Sequence, residues 1–269
     1  MMGRLRETGL LWAVAFTIAT LCVLIGLGNW QWQRMQWKQG LLNRLAENSL
    51  LPPVTLSAIP ISANILPSAN SKDAKLAAFR YRRIEIHGTY EHSSEMLVWA
   101  PASGGPAWSV VTPLRLSAGD PKNTCRNTKA CPSHVLVIRG AVPDKNKLAT
   151  KRRAVQVPGK QRIVGRIRLD VPNPWANDPD IAGNQWFTRD LMKMTAHLRK
   201  SMQADIAIAP FFVEAGQQIG GPTAPRPDLQ GPSLSNRHLS YALTWWGLAA
   251  TLISVFTAFA WSRLKAPRR

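Results

Sequence analysis

The sequence contains none of the familiar signatures of a catalytic or nucleotide-binding site. It has no Walker loop, no Gly-x-Ser-x-Gly turn, no His-Glu-x-x-His pair and no Gly-x-Gly-x-x-Gly fingerprint. Asp178 and Asp180, in the run Asn-Asp-Pro-Asp, are more typical of a structural turn than of a general acid–base pair. We therefore expect that the protein is not an enzyme.

Histidine and cysteine are also scarce, with five and three residues. His87 and His92 alone approach the spacing of metal ligands, and we expect them to be exposed polar residues around a strand turn. Cys125 and Cys131 bound a polar segment that suits a short-loop disulfide in an oxidising compartment, and a metal-binding pair is the alternative. Cys22 lies inside an apolar run, where it serves as a small apolar residue.

Acidic residues are few, since 15 Asp and Glu stand against 34 Lys and Arg and leave a net charge of +19. Such an excess is typical of nucleic-acid-binding proteins. The basic residues here are scattered, however, and no aromatic residues that stack on bases are interleaved with them. We expect no nucleic acid, and a basic surface that faces anionic lipid headgroups or an acidic partner.

Charge is absent from two runs, residues 9–28 and 241–261, and each is long enough to cross a bilayer as a helix. No signal-peptidase site follows the first run, which favours an uncleaved anchor. Basic residues in segments 1–8 and 262–269 predict cytoplasmic termini and place residues 29–240 on the opposite side. Because no organellar transit segment precedes the first run, we expect a multi-pass protein of a bacterial inner membrane with a periplasmic main domain.

Between the two runs the pattern is mainly that of β-structure. Helical spacing extends the first span over residues 29–46, and the Pro-, Ser- and Asn-rich segment 51–77 is predicted to be a loop. Short alternating strands separated by Gly and Pro then run from Tyr81 to Glu214, with one helix over Trp186–Ser201. The predicted fold is an α+β membrane protein. Two transmembrane helices flank an antiparallel β-rich, barrel- or sandwich-like extracytoplasmic domain with one or two helices.

His238 stands just before the second apolar run. An ionisable side chain at that depth is costly unless it is paired or bound to something, which makes His238 the leading candidate for a functional residue. The alternative is an interfacial histidine that meets water or a lipid headgroup.

Six segments, in order along the chain, share residues with one known family. They are Leu27-Gly-Asn-Trp-Gln31 with Arg34 and Trp37-Lys38; Tyr81-Arg-Arg-Ile with Gly88-Thr-Tyr90; Val110-Val-Thr-Pro-Leu114; Val137-Ile-Arg-Gly-Ala-Val-Pro143; Asn177-Asp-Pro179 with Gln185-Trp-Phe-Thr-Arg-Asp190; and Asn236-Arg-His-Leu-Ser-Tyr-Ala-Leu-Thr-Trp245. Together they resemble the Surf1/Shy1 family of cytochrome c oxidase assembly factors, and the last segment is the most distinctive.

The resemblance implies a role in maturation of the largest oxidase subunit, around the insertion of haem a, which would be bound transiently. It also implies that His238 is the iron ligand. Arg237 is then within reach of the haem propionates, and Tyr241 and Trp245 flank the porphyrin. Anchoring in the aromatic belt is the alternative role for Tyr241 and Trp245.

The same resemblance implies the partners. They are subunit I of the oxidase, other assembly factors including haem a synthase, and membrane lipid. Arg34 and Arg139 are either structural or face a partner. The alternative function is that of a membrane scaffold that stabilises oxidase assembly intermediates and binds no haem.

Overall fold

The computed structural model describes residues 10–61, 74–100, 105–125, 131–217, 224–226 and 237–265. The chain divides into two compact units, one of residues 45–232 and one of residues 1–44 with 233–269. The first unit is built on a mixed sheet, and the second is built from two long helices.

Five strands of the first unit close into a barrel. They are β1 (Arg83–Tyr90), β3 (Ala107–Leu116), β4 (His134–Pro143), β5 (Lys160–Arg168) and β7 (Ile208–Ala215). Their order is β1-β5-β7-β4-β3, and β3 pairs back onto β1 through Gly88 and Leu116. A Cβ at Gly88 would collide with the carbonyl oxygen of Arg115, so this closing contact requires glycine. Outside the barrel, β2 (Met96–Trp99) extends the sheet from β3, and β6 (Gln185–Trp186) extends it from β2.

The prediction of an antiparallel sheet is correct for most of these strand pairs and wrong for two of them. β4 pairs with β7 in parallel, and β2 pairs with β6 in parallel. Parallel neighbours need a long crossover connection, and the chain between β4 and β7 contains a helix that can belong to one. Alternating apolar residues predict a strand but do not reveal the direction of its neighbour.

That helix is α3 (Leu191–Met202), and a shorter helix, α2 (Ala74–Ala77), precedes β1. Asp190 caps α3, because its carboxylate accepts hydrogen bonds from the backbone N–H groups of Met192 and Lys193. The predicted helix over Trp186–Ser201 therefore begins five residues too early, and Gln185–Trp186 forms β6 instead. α3 buries Leu191, Met194 and Leu198 against the outer face of β4 and β7.

The segment predicted as a loop, residues 51–77, lies outside the described residues over 62–73, and its described part contributes to the core. Leu56 and Ile59 are 1% and 2% exposed, and both belong to the same apolar cluster as Ile84 on β1. Val54 also bridges to Ile84 in parallel. The sequence does not reveal that these residues belong to the core. The few apolar residues stand among prolines and serines and follow neither the strand period nor the helix period.

One ion pair is deeply buried in this unit. Arg152 is 0% exposed, and its guanidinium donates two hydrogen bonds to the carboxylate of Glu95, which is 8% exposed. The same guanidinium also donates to the carbonyls of Asn146 and Lys147. The pair holds the turn after β4 against the start of β2. Because both charges are removed from water, each is stabilised mainly by the other.

The second unit is built from α1 (Leu10–Leu50) as far as Arg44 and from α4 (His238–Lys265). Both helices are long and apolar enough to cross a membrane, by length and composition alone. They run antiparallel, because Gly28 faces Trp246 while Gln31, further along α1, contacts His238 at the start of α4. A Cβ at Gly28 would collide with the indole of Trp246. Glycine therefore permits the close approach of the two helices at this level.

Replacing Arg152 with Met should lower the free energy of unfolding by about 3–5 kcal/mol, because the carboxylate of Glu95 is left buried without its partner. The double variant Glu95→Gln/Arg152→Met should recover most of that loss, since no buried charge remains. Urea unfolding of the full chain in detergent, followed by tryptophan fluorescence, measures both. A double variant as unstable as the single one would show that isolation of the carboxylate is not the cause.

Replacing Gly28 with Val should destabilise the pair of helices by about 1–3 kcal/mol, because the new side chain displaces the indole of Trp246. Gly26→Val is the matched control, since a Cβ at Gly26 meets no atom within 4 Å. Thermal unfolding of the detergent-solubilised protein compares the two. Equal effects of the two substitutions would contradict a specific contact at Gly28.

Candidate functional site

His238 is the first residue of α4, and one of its ring nitrogens is held by α1. Nδ1 lies 2.7 Å from Oε1 of Gln31, and both residues are half-buried. An amide oxygen can only accept a hydrogen bond, so Nδ1 carries the proton and donates it. In the neutral imidazole, Nε2 then keeps its lone pair. A neutral imidazole in this tautomer is suited to bind a metal through Nε2, with its ring orientation fixed by the bond at Nδ1.

Gln31 is a site residue that the sequence did not single out. It belongs to the Leu27–Gln31 segment but lies 207 residues from His238 in the chain. The contact arises only because α1 and α4 pack antiparallel. A signal for it exists in the 3–4 spacing of Leu24, Gly28, Gln31 and Met35, all of them buried or half-buried on one face of α1.

The other predicted site residues follow His238 along one side of α4. Tyr241 and Trp245 come three and seven residues after it, which is the spacing of a single helix face. The side chain of Tyr241 is 55% exposed, and that of Trp245 is half-buried. Arg237 is exposed, and within the described part of the chain no hydrogen bond or ion pair engages its guanidinium. The structure thus groups these residues but forms no direct side-chain bond between them and His238.

Two tryptophans, Trp32 of α1 and Trp246 of α4, contact each other between the helices. The rings of Trp32 and Trp246 have centroids 6.0 Å apart and are tilted by 44°, so they pack beside each other between the helices. Trp30 is 55% exposed on α1. The ring contact of Trp32 with Trp246 thus adds to the packing between α1 and α4, the two helices that hold Gln31 and His238.

His87 and His92 do not form a metal site. His87 Nδ1 lies 2.9 Å from Asp120, and its Nε2 lies 3.3 Å from Glu85. His92 Nε2 donates to the carbonyl of Val157, and burial lowers its pKa. The expectation of exposed side chains is wrong, since both are half-buried and hydrogen-bonded. Within the described ranges there is also no group of three or more His, Cys, Asp or Glu residues that could hold a metal ion.

Arg139 is a core residue. It is 4% exposed, its guanidinium lies 4.9 Å from the ring centroid of Tyr90, and Nη1 lies 3.4 Å from Nδ1 of His92. Burial lowers the pKa of Arg139 and raises that of the Tyr90 phenol, since each charged form is poorly solvated there. Of its two predicted roles, the structural one is therefore favoured. Arg34, in contrast, stacks at 4.1 Å on Trp37 on the exposed side of α1.

The remaining candidates also have structural roles. Cys125 and Cys131 form a disulfide, so the alternative of a metal-binding pair is excluded. Asp178 pairs with Lys193 at 2.7 Å, and the hydrogen bond to Asp178 lowers its pKa. Asp180 accepts a hydrogen bond from the backbone of Gly183. The two carboxylates thus bind separate partners, as expected for a turn.

The comparisons with known proteins agree on one family. The sequence profile described as the SURF1 family matches residues 18–250. Surfeit locus protein 1 of Takifugu rubripes is 29% identical over 254 residues, which cover 91% of this chain and 94% of the relative. Surfeit locus protein 1 of Mus musculus is 28% identical over 91% of this chain and 73% of the relative. The SURF1-like protein of Monosiga brevicollis is 28% identical over 93% of this chain and 87% of the relative.

The match includes the barrel strands and both members of the hydrogen bond between His238 and Gln31. It also covers residues 18–50 of α1 and residues 238–250 of α4. On this extent of similarity, the chain belongs to the SURF1 family.

Proposed function

We propose that the protein is an assembly factor for an aa3-type cytochrome c oxidase. In this role it binds haem a transiently and assists its delivery to, or insertion in, the largest oxidase subunit. Membership of the SURF1 family supports a role in oxidase assembly. The observation that carries the haem proposal is the hydrogen bond from Nδ1 of His238 to Gln31, which leaves Nε2 available.

The residues present fit an iron porphyrin as cargo. A neutral imidazole is a standard axial ligand of haem iron, and His238 offers one in a fixed tautomer. Arg237 supplies an exposed cation for the propionates, and Tyr241 and Trp245 supply aromatic surface on the same side of α4. Gln31 is a positioning residue, because it hydrogen-bonds to the imidazole of His238 and supplies no iron ligand itself.

The proposed location is a bacterial inner membrane. α1 and α4 span it, and the barrel unit lies in the periplasm. The apolar character of both helices and the basic residues Arg263 and Lys265 in the last turn of α4 support this arrangement. The disulfide between Cys125 and Cys131 suits the oxidising periplasm. Proposed partners are oxidase subunit I and other assembly factors, including haem a synthase.

A haem-free scaffold is the second candidate function. The observation in its favour is the same hydrogen bond, because a tie between Gln31 and His238 also serves simply to hold α1 and α4 together. In that case the lone pair on Nε2 has no function, and loss of His238 affects stability without affecting any pigment.

His238→Ala should abolish stoichiometric haem a in protein purified from a membrane host that makes haem a. Gln31→Leu should weaken haem affinity about 10- to 100-fold, since the ring of His238 loses the partner that fixes its orientation and tautomer. Absorption spectra and haem per chain measure both effects. Gln31→Glu, which restores an acceptor, should recover binding and alter the spectrum of the bound haem.

Gln33→Leu is the matched control, because Gln33 is exposed on the same helix. It should leave haem content unchanged. A wild-type protein that is folded but colourless would refute haem binding and favour the scaffold. Equal haem losses in Gln31→Leu and Gln33→Leu would refute the positioning role of Gln31.

A further inference from the structure

The ring contact between Trp32 and Trp246 marks one side of the pair of long helices. It gives a reference for other side chains, because successive residues of an α-helix are turned by about 100° around its axis. Arg34 is turned by about 200° from Trp32 around α1. Tyr241 is turned by about 140° from Trp246 around α4. Arg34 and Tyr241 therefore leave their helices on the same side of the pair, the side away from the two tryptophans.

Arg34 also lies at a suitable level along the helix axis. The hydrogen bond of 2.7 Å between Gln31 and His238 fixes one level of α1 against one level of α4. Arg34 follows Gln31 by three residues, so its Cα lies about 4.5 Å further from the apolar run of α1. Arg237 precedes His238, and its carbonyl accepts the backbone N–H of Tyr241 at 3.4 Å. Because the helices are antiparallel, both arginines lie beyond the bond on the side away from the apolar runs.

The guanidinium of Arg34 is exposed and has a defined orientation. Its Cζ lies 4.1 Å from the ring centroid of Trp37, one turn further along α1. Such stacking engages the face of the guanidinium and leaves the N–H donors at its edge available to an anion. Among the described residues no carboxylate pairs with Arg34 or with Arg237. Two exposed cations, one on each helix, thus lie near the imidazole of His238 without an acidic partner there.

We infer that Arg34 binds a propionate of the porphyrin cargo and is the counterpart of Arg237 on the other helix. The inference rests on the proposed binding of haem at His238. A haem carries two propionates on one edge, and the fork of N–H donors of a guanidinium matches a carboxylate. With one arginine for each propionate, the charged edge of the porphyrin faces away from the apolar runs. Arg34 then favours porphyrins with free carboxylates over neutral ones.

The test titrates the full chain in an uncharged detergent with ferric protoporphyrin IX, and separately with its dimethyl ester, in which both propionates are neutral. Absorption in the Soret region gives the Kd of each ligand. Arg34→Gln should weaken affinity for the free acid about 3- to 10-fold, because charge-assisted hydrogen bonds at an exposed site are lost. Its affinity for the ester should equal that of the wild type. Arg34→Lys should lose less affinity for the free acid, since it keeps the charge but not the fork.

Arg263→Gln is the matched control. Arg263 is also exposed and lies over an aromatic ring, 5.5 Å from the centroid of Phe259, but it belongs to the last turn of α4, at the opposite end from His238. Its loss should leave the affinity for both ligands unchanged. Equal losses of free-acid affinity in Arg34→Gln and Arg263→Gln would overturn the inference, because the effect would then reflect net charge alone. Equal losses for free acid and ester in Arg34→Gln would also overturn it, since the propionates would not be the cause.

The wild type and His238→Ala separate this inference from the proposed function. Iron coordination is common to the two ligands, so His238→Ala should lose affinity for both, whereas Arg34→Gln should lose it for the free acid alone. A wild type that binds neither ligand would overturn haem binding and the inference together. If the wild type binds both and Arg34→Gln binds the free acid as tightly, haem binding stands and the role of Arg34 is overturned.

Discussion

Closure of the barrel between β1 and β3 is the contact on which the rest of the domain depends. It places the backbone of Gly88 against that of Arg115 and Leu116, at a distance that no side chain at position 88 tolerates. Once the ring is closed, the inward side chains form one apolar cluster, and the outward faces must be covered separately. α3 covers the face of β4 and β7, and ion pairs cover much of the face of β1 and β5.

The two long helices have one polar contact at a critical position. A half-buried amide and a half-buried imidazole are each costly in apolar surroundings without a partner, and Gln31 and His238 hydrogen-bond to each other. The bond engages Nδ1 of His238 and leaves Nε2 available. Its formation depends on the close approach of α1 and α4 at Gly28, one turn away on the same face. The close approach of the helices at Gly28 therefore supports both their packing and the hydrogen bond that orients His238.

The scarcity of acidic residues shapes the charged parts of the fold. Some carboxylates are shared among several basic side chains, as Glu85 is between Lys122 and Arg162. Hydrogen bonds from Lys160 and from the backbone of Lys122 hold the pKa of Asp120 well below its usual range, so it remains ionised.

The sequence by itself determined the two apolar helices and the β-rich domain between them, and it left the disulfide of Cys125 and Cys131 as one of two alternatives. Each of these features follows from the composition of a short segment or from the period of its apolar residues. Both are properties of residues that are neighbours in the sequence. Only the tertiary structure decided the parallel pairing of β4 with β7, the contribution of Leu56 and Ile59 to the core, and the partnership of Gln31 with His238. These depend on contacts between segments far apart in the chain. A residue's own neighbours in sequence carry no information about which distant strand or helix lies beside it, because that choice is made by the packing of the whole fold.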